Sequence, residues 1–251
     1  MNNVHVFQDK KNLGKEAAQA GAKLINDTIA QKGYATIILA TGASQFEMLE
    51  ALITMDIDWS VVEVFHLDEY IGLPISHPAS FRKYLKERFA DKVKNLKQFN
   101  YINTDNLPIE KELSRLENLI TAKQIDVAFI GVGENGHLAF NDPPADYNYD
   151  KPYLVVDLDK ACRQQQLNEG WFKTLEDVPK QAVSMSVKQI MKSTHIINSI
   201  PDERKAQAVA KTLTGPVTNM CPASILQQHP SCHWYLDVHS AGLLPQEYKK
   251  A

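Results

Sequence analysis

Cysteine is scarce in this chain: three in 251 residues, at Cys162, Cys221 and Cys232, an odd number with no C-x-x-C spacing. That excludes a disulfide framework, argues against a zinc site and fits a reducing compartment. Long apolar runs are also missing. No stretch approaches the roughly 20 residues that a membrane helix needs, and the opening MNNVHVFQDKK lacks the apolar core of a secretory signal. Charge of one sign is absent as well. Lys and Arg number 27 against 30 Asp and Glu, a formal net charge of −3 with no dominant basic run, which speaks against a nucleic-acid partner. There is no repeat, low-complexity segment or linker. The expectation is a cytoplasmic protein formed by one domain over residues 1–251.

What is present is a sizeable apolar fraction, 44% of residues, arranged as alternating short and long runs. Short β-type runs fall at residues 4–7, 35–40, 61–67, 99–102, 125–130, 194–200 and 232–238. Helical spacing recurs at about 12–31, from Ser44 to about 52, from Pro78 to about 89, at 109–122, from Pro201 onwards and at 222–228. Pro201 reads as the first residue of its helix, the N1 position that proline favours. The central runs, ATIILA and IDVAFI, are apolar throughout, as strands buried on both faces of a parallel sheet are. Strand–helix alternation predicts an α/β fold: one three-layer α/β/α domain with a mainly parallel, Rossmann-like sheet. Beyond Pro144 the pattern loosens. Residues 161–180 begin with a polar stretch ending in Trp171-Phe172, which reads either as a lid or as a surface helix.

Polar residues gather just after four of the strands. Residues 130–144, IGVGENGHLAFNDPP, place Gly131, Gly133 and Gly136 before His137 and Asp142. A glycine-rich turn at the carboxyl end of a parallel strand is where open α/β sheets take ligands. An imidazole near a carboxylate suits acid–base work. Thr41-Gly42-Ala43-Ser44 offers hydroxyls and backbone N–H groups to a phosphate, or else an ordinary helix cap. Asp68-Glu69 places two carboxylates at a buried strand end, where they must be paired, working or solvated caps. Arg204 and Lys205 sit in a helix's first turn, against the macrodipole, as if facing an anion. Taken together, these groups point to an enzyme acting on a small phosphorylated molecule.

These same stretches carry a resemblance. Ala40-Thr41-Gly42-Ala43-Ser44, the D-E-Y-x-G-L-P run from Asp68 to Pro74, the G-H-x-A-F-N-x-P run from Gly136 to Pro143, and Arg204-Lys205-Ala206 resemble the glucosamine-6-phosphate deaminase (isomerase) family, which shares a superfamily with 6-phosphogluconolactonases. The lactonase branch would show D-E-R and G-H-T-A-S in those places. The resemblance implies cofactor-free, metal-free isomerisation of an amino-sugar phosphate with loss of ammonia. It implies Asp68 as the base moving a proton between C2 and C1, and His137 as the group that opens the sugar ring. Asn135 and Asp142 take the places of the carboxylates that orient that histidine. Thr41, Gly42, Ala43, Ser44, Gly136 and Lys205 become substrate and phosphate contacts, with a homo-oligomer left open. The chain departs from the family pattern at Asn135 (often Asp), Asp142 (usually Glu), Ala43 and Gln45 (typically Ser and Pro), and Gly170, where an Arg usually precedes the aromatic pair. Arg163 lies in a different register. These departures point to a divergent member, whose substrate could be the galactosamine epimer. Alternatives are a 6-phosphogluconolactonase-type hydrolase and a catalytically silent sugar-phosphate sensor.

Overall fold

Strands apolar on both sides form the spine of the molecule, and helices cover each face. In the computed structural model, residues 3–106, 108–158, 160–168 and 170–248 are described. The strands are β1 (Val4–Phe7), β2 (Ala35–Leu39), β3 (Val62–His66), β4 (Asp68–Tyr70), β5 (Gln98–Asn100), β6 (Val127–Ile130), β7 (Tyr153–Asp157), β8 (Gln181–Met185), β9 (His195–Ile200) and β10 (Cys232–Asp237). The α-helices are α1 (Lys10–Lys32), α2 (Phe46–Leu52), α3 (Phe81–Leu85), α4 (Ile109–Thr121), α5 (Lys160–Asn168), α6 (Val187–Ile190) and α7 (Ala206–Thr214). Seven strands make one parallel sheet in the order β1-β10-β9-β6-β2-β3-β5.

The two-residue period of a strand sends neighbouring side chains to opposite faces, and here both faces are core. Ile38, Phe65, Ala128, Ile130 and Ile196 pack with Leu116 and Ile120 of α4, Ile190 of α6 and Val209 of α7. Ile37, Leu39, Val64, Val127, Phe129 and Ile197 pack with Leu13, Ala17 and Ile25 of α1, Leu49 of α2 and Leu85 of α3. Each fully buried aliphatic or aromatic side chain contributes about 1.5–3 kcal/mol. Helix α1 lies so close to the sheet that a Cβ on Gly21 would meet Cε1 of Phe129 at 2.2 Å. Asp9 caps this helix by accepting from the Asn12 backbone N–H at 2.8 Å, and Gly33 ends it in the left-handed conformation, φ 79°.

The α/β architecture and parallel sheet are as the sequence predicts, but three features differ. The loosened stretch after Pro144 contains two strands. With β4 they form a separate antiparallel sheet, ordered β4-β8-β7. The chain turns out of the main sheet at Leu67, whose carbonyl accepts from Met185 N–H at 2.6 Å. Asp68, Glu69 and Tyr70 are therefore strand residues rather than a turn after β3. Pro201 does not start a helix: Asp202 follows in a left-handed conformation, φ 91°, then a 3-10 turn over Glu203–Lys205, and α7 begins only at Ala206. The helix read from Pro78 starts at Phe81, capped by Ser80, and finishes as a π turn over Lys86–Ala90. Among the described residues no helix is long and apolar enough to cross a membrane.

Candidate active site

A cavity of about 230 Å³ opens at the carboxyl ends of the parallel strands, and the predicted loops converge on it. Thr41, Gly42, Ala43, Ser44, Asp68, His137 and Lys205 all line it. Asn135 and Asp142 stand behind His137 rather than in the wall. Gly136 does not line it either. Its φ of 87° and the Cys221 sulfur, 2.9 Å from where a Cβ would sit, make it a residue of the loop's own folding.

The loop after β6 builds an oriented imidazole. His137 N–H donates to Asn135 Oδ1 at 3.0 Å, and Gly133 N–H donates to the His137 carbonyl at 3.0 Å. Asn141 clamps the loop to the second sheet, its amide donating to Leu138 O at 2.7 Å and Met185 O at 2.8 Å. His137 Nδ1 lies 3.0 Å from Asp142 Oδ1, so the shorter acid side chain does reach the ring. Asn135 makes no hydrogen bond to the imidazole ring. Its amide donates to the same Asp142 oxygen at 2.8 Å and so positions the carboxylate instead. Burial pushes the Asp142 carboxyl up, but hydrogen bonds from His137 and Asn135 prevail and hold it below the ordinary aspartate value. An ionised Asp142 fixes the proton of His137 on Nδ1, which leaves Nε2 as the working atom. The ring lies against the backbone of Gly133, where a Cβ would come within 2.3 Å of its atoms.

Across the cavity is Asp68, only 7% exposed. Burial, and secondarily the charge of Glu69, raise its pKa to about 8. Its neighbour has a different task. Glu69 accepts from Tyr70 N–H, Phe81 N–H, Arg82 N–H, the Ser80 hydroxyl and Arg82 Nε–H, all between 2.8 and 3.2 Å. Of the two adjacent acids, one is tied up in structure and the other is available for chemistry.

The Thr41–Ser44 loop is pinned by Gln45, which the sequence marks only as a departure from the family pattern, and by Tyr84, which carries no sequence signal. Gln45, fully buried, donates to Ser44 Oγ at 3.1 Å, Ser199 O at 3.3 Å and Ile130 O at 3.4 Å. Tyr84 donates to Gly42 O at 3.0 Å. Ser44 makes no helix cap. Cations stand around this loop. Lys205 is joined by Arg204, paired with Asp202 at 3.2 Å and Glu134 at 3.5 Å, and by Lys10, paired with Glu47 at 3.0 Å. Lys10 was not picked out in the sequence, because a lysine opening a long surface helix carries no motif. Arg163 does not supply the missing lid cation. Its guanidinium donates to the carbonyls of Val178 and Leu175 and ties the stretch 161–180 to itself. From the stretch 161–180, the described residues in the cavity wall are Gln166 and Trp171.

The arrangement thus offers a hydrogen-bonded imidazole, a carboxyl poised to gain and lose a proton near neutrality, and a loop flanked by cations. The sequence matches the family of glucosamine-6-phosphate isomerases and 6-phosphogluconolactonases over residues 8–234. It is 36% identical to a glucosamine-6-phosphate deaminase of Shouchella clausii over 98% of this chain and 99% of that protein. It is likewise 36% identical to one of Streptococcus uberis, over 92% and 96%. Among solved structures, a monomeric glucosamine-6-phosphate deaminase superimposes with a TM-score of 0.85 at 30% identity, covering 96% of this chain and 99% of that one. A 6-phosphogluconolactonase from Neisseria gonorrhoeae, described as putative and 20% identical, shares the fold with a TM-score of 0.76 over 94% of this chain and all of that one.

Proposed function

The chain belongs to the glucosamine-6-phosphate isomerase/6-phosphogluconolactonase family, and from that premise we propose that it converts glucosamine 6-phosphate, or its galactosamine epimer, and water to the ketose 6-phosphate and ammonia. The observation that carries the reading is the pairing, on one small cavity, of a buried carboxyl with a pKa near 8 and an imidazole whose tautomer is fixed. His137 Nε2 moves a proton to or from the ring oxygen as the C1–O bond breaks, and Asp142 balances the charge that develops on the ring. Asp68 then takes the proton from C2 and returns it at C1. The resulting C2 imine adds water and releases ammonia. The Thr41–Ser44 loop and Lys205 hold the phosphate away from the reacting carbons, where its binding energy orients the chain. Asn135 takes part by aiming Asp142, which an amide does without placing a second negative charge beside it.

The direct test is ammonia release from glucosamine 6-phosphate and galactosamine 6-phosphate in parallel, with acid release from 6-phosphogluconolactone as the comparison. Release from either amino sugar supports the reading and names the epimer. A folded protein that hydrolyses only the lactone overturns it.

Two further results are expected. Asp68 must be ionised to act as a base, and burial keeps its proton on until about pH 8. The pH profile of kcat/KM therefore rises with pH and levels off above about 8; a flat profile between pH 6 and 9 removes Asp68 from the rate-determining chemistry. Gly133→Ala places a methyl group where the imidazole ring now lies, 2.3 Å away, and must push it aside. Displacement of a catalytic group by about 1 Å costs on the order of 100-fold. The variant should lose kcat/KM on that scale while keeping its melting temperature, and wild-type turnover in it would show that the ring does not need that seat.

A further inference from the structure

Among the described side chains of α5, Cys162 and Gln166 are buried, one helical turn apart. Cys162, buried, lies at the Asp142 carboxylate and helps to hold its charge. Gln166, 8% exposed, lines the cavity. Positions four apart share a helix face, so this face covers the reacting end of the site. Gln166 is held by one residue. The Tyr70 hydroxyl donates to its Oε1 at 2.7 Å. Tyr70 has little room to move. It is 1% exposed, with ring centroids of Phe81, Phe140 and Phe172 at 5.0, 5.5 and 5.6 Å. With the amide oxygen taken, Gln166 keeps its NH2 group to offer, and among the described residues no acceptor meets it. The group is not sealed in the interior: it opens on the cavity, where a ligand oxygen can accept from it.

Its position also says which part of a ligand it meets. Asp68 and Tyr70 are two apart on β4 and so share a face, while Glu69 points away into its own network. Gln166 therefore stands on the Asp68 side. The Thr41–Ser44 loop is fixed from two sides, by Tyr84 of α3 at Gly42 and through Gln45 to the ends of β6 and β9, beyond which Lys205 follows. We infer that Gln166 is a substrate-contacting, specificity-determining residue: its amide, aimed by Tyr70, donates to a hydroxyl oxygen of the sugar chain and not to the phosphate. The inference rests on the sugar-phosphate reading above. It gives the lid a neutral donor in a segment where the family usually places an arginine.

The experiment compares Gln166→Leu and the shape-preserving Gln166→Glu with the parent enzyme, using KM for ammonia release and calorimetric binding of the same amino-sugar phosphate. Both variants should weaken the sugar phosphate on the order of tenfold, the scale of one hydrogen bond to a buried group. Inhibition by inorganic phosphate should stay unchanged, a selectivity that a loosened lid would not produce. Tyr70→Phe should raise KM severalfold in the parent and add nothing in the Gln166→Leu background. Unchanged KM and binding in both Gln166 variants, or equal weakening of inorganic phosphate, overturns the assignment. If the parent releases no ammonia yet binds the sugar phosphate through Gln166, the functional reading falls and the contact stands.

Discussion

Asp68→Asn should all but stop ammonia release while making the protein harder to unfold. The loss follows from chemistry: an amide cannot take a proton from carbon, and general base catalysis of this kind contributes about 10²- to 10⁴-fold. The gain in stability follows from linkage. In the unfolded chain the aspartate ionises near its ordinary value of 3.8, whereas in the folded protein burial and Glu69 hold the proton on until about 8. Between those values the unfolded state releases a proton that the native state keeps, so stability drains away as pH rises and is fully lost to this group above about 8. An asparagine of the same shape escapes that loss. Its melting temperature should exceed the parent's by several degrees, at roughly 2–4 °C per kcal/mol for a chain of this size. The difference should grow from pH 5 to pH 8 and then level off. Phosphate inhibition should persist, since the phosphate loop is untouched. A variant that still turns over at the parent rate, or a melting difference that does not change with pH, would show that Asp68 is neither the base nor desolvated.

Glu69→Ala should act in the opposite sense on stability. Five donors converge on this carboxylate, among them two from Arg82, whose side chain is 3% exposed. Arg82 keeps Asp105 at 2.9 Å and Leu73 O at 2.7 Å, but the N–H groups of residues 70, 81 and 82 and the Ser80 hydroxyl lose their acceptor in the interior. Removing one partner from a buried charged network costs about 3–5 kcal/mol, a fall in melting temperature on the order of 10 °C. The same change tests the electrostatics of the base. Glu69's charge is one of the two causes that raise Asp68, so with it gone the rising limb of the pH profile should move to lower pH. The milder Glu69→Gln should move it in the same direction in a better-folded background. A limb that stays in place would mean burial alone sets the Asp68 proton affinity.

Much of this was legible in the linear chain. Apolar runs such as ATIIL and VAFI report burial on both faces, and that forces a parallel sheet with helices over it. The loops that follow such strands gather the polar groups around the cavity because only there can the backbone turn open toward a ligand. For the same reason His137, Asp68, the Thr41–Ser44 loop and Lys205 could be named from spacing and motif. Distances could not be. Whether Asp142 reaches His137, and that Asn135 serves the carboxylate rather than the ring, depends on side-chain geometry fixed by Asn141 and the second sheet. The division of labour between Asp68 and Glu69 was likewise hidden, since adjacent strand residues face opposite ways and only the packed neighbours tell which side is the cavity.

The stretch 161–180 shows the same boundary most plainly. Its polar composition told of exposure at one surface but not of what the other surface touches. Arg163, out of register with the arginine usual in the family, binds carbonyls of its own segment, while Gln166 and Lys10 reach the cavity without any sequence signature. Strand and helix are local consequences of apolar periodicity, so the order of residues is enough to specify them. A site is made of groups from β4, α5 and the loops after β2, β6 and β9, which are distant along the chain. Their mutual distances and proton affinities exist only after the core has closed around them and excluded water.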